Sequence, residues 1–289
     1  MKKILITGAT GNVGMEVIEF LTKSDDAISV IAGVRNIQKA QAKFDEFKNL
    51  SFRHFDFEDQ DSFNKAFKEI DIIFLLRPPH LSDVKKFFEP LLEAARNNGI
   101  EKIVFLSVQG ADKTSIIPHS KIESLIKSLG FKHIFIRPGY FMQNLTTTLL
   151  PEIKNKSQIT LPSGKSKFNW VDVKNVGEVA AILITEFKNY QNEALDITGD
   201  ESESFQTVAK LITKITGRPV KFKSINPISF YFKKRKEGLK NGLAMVMTLL
   251  HFAPRITGTP ALSKNYSQLT GKSPVTLAQF IEREKEKFQ

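Results

Sequence analysis

Gly8, Gly11 and Gly14 stand at three-residue intervals in the run Lys3-Ile4-Leu5-Ile6-Thr7-Gly8-Ala9-Thr10-Gly11-Asn12-Val13-Gly14. An apolar strand enters this turn and an amphipathic helix, Met15 to Lys23, leaves it, which is the layout that a pyrophosphate needs. Gly8 can make the tight turn, Gly11 lets the backbone approach phosphate closely, and Gly14 lets helix and strand pack. Thr10, Asn12 and Val13 complete the same turn. No Gly-Lys-Ser/Thr closes it, so the expected ligand is a dinucleotide and not a nucleoside triphosphate.

Ligands of such sheets lie at the carboxyl ends of the strands, so each strand end supplies candidates. The second strand ends in Arg35-Asn36, where a site selective for NADH usually carries a carboxylate on the ribose hydroxyls. A guanidinium accepts a 2′-phosphate through paired hydrogen bonds, so NADPH is expected over NADH, with Lys39 one helical turn onward as a second cation. Asp56 and Phe57 follow the third strand, where a carboxylate and its backbone can meet an adenine edge. Asp56 and Asp59 can equally cap the next helix, Asp59 more so. The fourth strand ends Leu75-Leu76-Arg77-Pro78-Pro79-His80, with prolines to stiffen a wall under the nicotinamide ribose, and Arg77 and His80 facing phosphate or solvent.

Short strands rich in Ile, Val and Phe must hold these groups in place. They are expected near residues 3–7, 28–34, 51–55, 71–76, 101–107 and 133–137, with helices near 13–23, 37–47, 60–68, 82–97 and 119–129 between them. Continuous apolar strands such as Ile72-Ile73-Phe74-Leu75-Leu76 imply burial on both faces. The fold class is therefore α/β, a doubly wound parallel Rossmann sheet with a smaller C-terminal α/β substrate lobe. Residues 1–150 are expected to form the nucleotide-binding domain, with 170–200 returning to it, and 201–289 with 151–169 the smaller lobe. After Arg137-Pro138-Gly139 a helical stretch is expected to Leu150, and later helices near 204–216, 228–252 and 276–287.

Composition narrows the function classes. The chain of 289 residues, 41% hydrophobic, can bury a sizeable core. It contains no cysteine, which excludes disulfides and thiol chemistry. The longest apolar run, Leu243 to Leu250, falls short of the roughly 18 to 20 residues that cross a bilayer. No charged-then-apolar leader precedes the first strand, so a cytoplasmic location and no membrane partner are expected. The five histidines are dispersed and no metal site is expected. A G-x-S-x-G elbow is absent, which disfavours a serine hydrolase. The net charge of +11 raises nucleic acid, but only Lys233-Lys234-Arg235-Lys236, with Lys240 and the neighbouring Phe230-Tyr231-Phe232, forms a cluster. That cluster suits a nucleic-acid or anionic-membrane patch less well than a solvated helix end.

Together the glycine turn, Val34-Arg35-Asn36, Ser107 at the end of the fifth strand, Pro118-His119-Ser120-Lys121, Arg137-Pro138-Gly139-Tyr140-Phe141-Met142-Gln143-Asn144 and Trp170-Val171-Asp172-Val173 resemble the NmrA-like branch of the atypical short-chain dehydrogenase/reductases. The resemblance covers nearly the whole chain. It implies NADP(H) binding by the groups above together with Ser107, Lys121 and Pro138, Lys121 holding the nicotinamide ribose. The branch includes quinone, azo-dye and triphenylmethane-type reductases, and also regulators that bind the dinucleotide without turning it over. The superfamily tyrosine four residues before the lysine is replaced by Ile117, while His119 lies two residues before it. Lacking the hydroxyl that protonates an alkoxide, the chain is poorly suited to simple ketone chemistry and to sugar epimerisation.

The resemblance thus implies an NADPH-dependent oxidoreductase passing hydride to a quinone-like or other conjugated small molecule. A catalytically silent NADP(H)-sensing regulator acting through a protein partner is the alternative. Lys121, Tyr140 and His119 are the catalytic candidates, and Tyr140, Phe141, Asn144 and Trp170 the substrate-facing ones. A small-molecule substrate, no nucleic acid, and a monomer or homodimer are expected.

Overall fold

The computed structural model describes residues 2–24, 28–47 and 49–289, and its contacts divide the chain into two compact units. Residues 1–138 with 173–197 form the first, and 139–172 with 198–289 the second.

Apolar strands buried on both faces build the first unit. In chain order they are β1 (Lys2–Ile6), β2 (Ile28–Val34), β3 (Leu50–His54), β4 (Ile72–Leu76), β5 (Lys102–Leu106) and β6 (Lys132–Pro138), joined through α1 (Asn12–Lys23), α2 (Ile37–Lys43), α3 (Asp61–Phe67), α4 (Val84–Asn97) and α5 (Pro118–Ser128). A final helix and strand, α7 (Val173–Thr185) and β10 (Glu193–Ile197), return after an excursion into the second unit. The sheet runs β10-β6-β5-β4-β1-β2-β3, every pair parallel. Ile4 is in register with both Val30 and Ile72, so β1 sits where the winding reverses. A crevice at the carboxyl end of β1 follows from that reversal. Beneath it Phe55, Phe63, Phe67, Phe88, Phe105 and Phe135 belong to one buried cluster, which accounts for part of the chain's abundant phenylalanine.

The second unit holds two small sheets. In one, β9 (Lys167–Val171) pairs parallel with β7 (Tyr140–Phe141) and antiparallel with β11 (Ser202–Ser204); in the other, β8 (Gln158–Leu161) pairs with β12 (Lys221–Ser224). Around them lie α6 (Leu150–Lys156), α8 (Phe205–Thr216), α9 (Pro227–Lys236), α10 (Asn241–Phe252), α11 (Pro254–Thr257), α12 (Asn265–Thr270), α13 (Leu277–Arg283) and α14 (Lys285–Phe288).

Three expectations shift. Residues 140–145 form β7 and a short 3-10 turn, Met142–Leu145, and the helix begins at Leu150, where it was expected to end. Pairing of Tyr140 with Trp170 therefore takes 139–150 into the second unit. The single helix expected over 228–252 is two, because Gly238, at φ 90°, adopts the left-handed conformation that ends α9. The one over 276–287 is likewise divided, into α13 and α14.

Candidate functional site

The glycine turn is held by its own backbone. Gly8 takes φ +60°, and the Gly11 amide donates to its carbonyl at 2.9 Å. A Cβ on Gly14 would lie 2.4 Å from the Gly8 carbonyl oxygen and 2.8 Å from the Ala9 Cα, so no side chain fits there. A Cβ on Gly11 would approach that oxygen to 3.2 Å. No side chain caps the N-terminus of α1 and no acidic residue occupies its first turn, which leaves that end open to an anion. Val13 contributes only backbone here, its side chain being buried, whereas Asn12 is exposed.

Thr7, fully buried, locks the turn to its neighbour strand. Its hydroxyl donates to the Phe74 carbonyl at 3.1 Å and accepts from the Leu76 amide at 2.8 Å. Thr7 lies within the glycine run, and a hydroxyl at the last core position of a strand is the signal that marks it.

Gly8, Thr10, Gly11, Arg35, Asp56, Phe57 and Leu76 line one hollow of about 240 Å³, shared with Pro78, His80 and Leu81. Arg35 is exposed on its wall. Asp56 accepts the Glu58 amide at 3.1 Å, closing a turn, and Asp59 accepts the Asp61 amide at 3.2 Å just ahead of α3, whose N-cap is Gln60 and has no side-chain cap bond. Phe57 is mostly core, packed on Phe55 and Phe88 at 4.9 and 5.6 Å. Lys39 is exposed and does not line the hollow; its backbone amide is taken by the Asn36 cap. Lys43, one turn further on the same helix, instead donates its ammonium to the Thr10 carbonyl at 2.7 Å. The four-residue helical spacing from Lys39 was the signal that could have found it.

Other sequence candidates are turned inward. Arg77 donates to the carbonyls of Pro78, Pro79 and Leu81 and to His119 Nε2, so it binds its own loop and does not line the hollow of the glycine turn. Burial lowers its pKa to about 10. His119 is pushed down to about 3 by burial and by the Arg77 charge, and is a neutral acceptor at physiological pH. It is not a proton donor there. Ser107 is buried and gives its hydroxyl to Glu123 Oε1 at 2.5 Å, and Glu123 is clamped by Arg137 through contacts of 3.0 and 2.7 Å. Ser107 is therefore a structural donor, not an open cofactor contact. Pro138 is buried, its carbonyl accepting the Gln109 amide at 2.9 Å.

Lys121 is exposed on a second hollow of about 670 Å³, with Lys113, Ser120, Lys127 and Arg137 on the same wall. It does not line the hollow of the glycine turn.

In the second unit, Tyr140 lies in an aromatic nest of Phe168, Trp170 and Phe205, with ring centroids 4.9 to 5.5 Å away. Its hydroxyl is 2.9 Å from His251 Nε2, and His251 Nδ1 is 2.7 Å from the Met247 carbonyl. That second contact assigns the ring proton to Nδ1, so Tyr140 donates to Nε2. Burial raises the Tyr140 pKa and lowers that of His251 to about 4. Trp170 is fully buried and donates its indole N–H to the Glu203 carbonyl at 2.9 Å. Both residues are core of this unit, a correction to their catalytic and substrate roles. Phe141 and Asn144 are half-buried, in β7 and the 3-10 turn after it.

A family model described as the NmrA-like family matches residues 1–252. The chain belongs to the NmrA-like family. It is 27% identical to prestalk A differentiation protein A of Dictyostelium discoideum, over 96% of this chain and 90% of that one. It is 25% identical to quinone oxidoreductase 2 of Escherichia coli, over 96% and 97%. The structure of that Escherichia coli enzyme complexed with NADPH superposes with a TM-score of 0.85 at 24% identity, covering 97% of this chain and 99% of that one. The mostly parallel Rossmann fold is thus common to this NmrA-like chain and its structural relatives.

Proposed function

We propose that this NmrA-like protein is an NADPH-dependent oxidoreductase that passes hydride to a quinone-like or other conjugated small molecule. The observation that carries the reading is the glycine hollow, an uncapped helix N-terminus with Arg35 on the wall where an NADH site would carry a carboxylate. Its residues fit a dinucleotide: with no Cβ at Gly14, α1 packs directly against the Gly8 and Ala9 backbone, and its uncapped N-terminus starts at Gly11, which lines the hollow. The likeness to an Escherichia coli quinone oxidoreductase over almost the full length of both chains supports the same class.

The turn and the first amides of α1 would hold the pyrophosphate, Arg35 would pair with the 2′-phosphate, and Asp56 with its backbone would border the adenine. The family resemblance implies Lys121 for the nicotinamide ribose, although it lines a hollow separate from that of the glycine turn. Bound NADPH supplies the hydride from its nicotinamide ring. Tyr140 donates to His251, His119 is neutral and Ser107 donates to Glu123, so these side chains offer the acceptor no ready proton. A conjugated acceptor tolerates this, since its charge spreads over many atoms and water can protonate it. A localised alkoxide does not.

The same pairing favours a second reading, an NADP(H) sensor without turnover that acts through a protein partner. One experiment separates them: titrate the protein with NADPH and NADH, then follow loss of reduced-nicotinamide absorbance with quinones, azo dyes and enones. Tighter NADPH binding and turnover of at least one quinone are expected, both removed by Gly11→Asp. Tight binding with a flat panel would select the sensor, and no binding of either nucleotide would end both readings.

A further inference from the structure

Between Lys221 and Thr276 stand ten basic residues and one acidic residue, Glu237, so this stretch carries +9 of the chain's +11. The remainder is nearly balanced. The excess charge is thus a property of one region of the second unit, the one that contains α9, α10 and α11.

Among the described residues, the same region exposes the largest group of apolar side chains. Helix α10 has no Lys, Arg, Asp or Glu, and buries Ala244, Met247, Thr248 and His251 on one side. On the other it leaves Met245, Val246, Leu249 and Leu250 in the open, Leu249 at 55%. Ile228 and Phe232 are exposed one turn apart on α9, at 67% and 63%, and Lys236 continues that row one turn later. Ile256 on α11 is 75% exposed. Helices α9 and α10 pack on each other, with the Tyr231 hydroxyl donating to Asn241 at 2.7 Å. Lys233 and Lys234 are paired with Glu152 and Glu237, but Lys236 and Lys240 are exposed beside the apolar faces.

We infer that α9, α10 and α11 form a docking surface for the face of an anionic bilayer. Exposed aliphatic side chains on helices flanked by lysine are what an interfacial anchor presents, the apolar residues entering the acyl boundary and the ammonium groups meeting headgroup phosphates. A second copy is disfavoured by charge, since a self-complementary interface would bring the exposed Lys236 and Lys240 of two copies together. Nucleic acid would use the lysines and leave Met245, Val246, Leu249 and Leu250 without a partner. No helix among the described residues is long and apolar enough to span a membrane, so the contact is peripheral. A bilayer also collects lipid-soluble conjugated acceptors; that consequence, unlike the docking itself, rests on the oxidoreductase reading.

The test is co-sedimentation of the full chain, without nucleotide, with vesicles of phosphatidylcholine alone or mixed with phosphatidylglycerol. Binding to the mixed vesicles is expected, weakening steeply as salt is added. Leu249→Ser with Leu250→Ser should lower partitioning about tenfold, and Lys236→Gln with Lys240→Gln about thirtyfold at low salt. Ile116→Ser, at an exposed apolar position in the first unit, should leave it unchanged, and circular dichroism checks that each variant is folded. Absence of binding to anionic vesicles at low salt, or equal binding to neutral ones, sinks the inference. So does capture of duplex DNA that persists undiminished in the Leu249 and Leu250 variant. Because nucleotide is omitted, failure here leaves the cofactor reading standing, and failure of NADPH binding leaves this result standing.

Discussion

At the glycine turn the chain leaves backbone open, while at the ends of β5 and β6 it closes polar side chains on one another. The helix N-terminus at Gly11 has no side-chain cap and its first turn has no acid, so donors there await a ligand. Ser107, Glu123 and Arg137, by contrast, complete each other in a buried cluster. The second region holds a hydroxyl, a carboxylate and a guanidinium, but a buried polar group already paired has little left to give a substrate.

The sharpest way to break that contrast is Glu123→Ala, which leaves the buried Arg137 charge without its main partner. It should cost about 3 to 5 kcal/mol of stability by chemical denaturation. A loss under about 1 kcal/mol, with altered kinetics instead, would show that the cluster serves catalysis.

Acid should act next. His251 has its folded pKa lowered to about 4, so the stability it contributes is fully present above the unfolded value near 6.5 and is lost as pH falls toward 4. The slope in that window is about 1.4 kcal/mol per pH unit for one such histidine. His251→Gln should reduce the slope by that amount and leave the share that His119 contributes, and an unchanged slope would refute the burial argument.

Arg35→Ala probes the open region. With Arg35 exposed, the free protein's melting temperature should hardly move. NADPH affinity should drop by about 2 kcal/mol while NADH affinity is nearly unchanged, read by calorimetry. Equal losses for both nucleotides would take the 2′-phosphate away from Arg35.

The smallest effect belongs to Tyr140→Phe. It should cost about 1 kcal/mol of stability and leave kcat/KM with a quinone nearly unchanged. A large fall in turnover would return Tyr140 to the catalytic group.

What was legible in the sequence was local. The glycine spacing, the apolar strands and the Arg35 position are set within a dozen residues, and strand periodicity placed β1 through β6 to within a few positions. Polar pairing was not legible, since Tyr140 meets His251 across 111 residues, Ser107 meets Glu123 across 16 and Lys43 reaches Thr10 across 33. The break at Gly238 comes from its left-handed backbone at φ 90°, a conformation that a glycine permits but does not dictate.

By itself, then, the sequence determined a Rossmann sheet with a glycine turn after its first strand, because steric exclusion by Cβ atoms and burial of alternating elements are short-range rules. Only tertiary structure decided which hydroxyls, imidazoles and guanidinium groups stay open to a ligand and which are spent inside the fold. A hydrogen bond depends on distance in space, and chain order does not encode that distance for residues brought together from different elements.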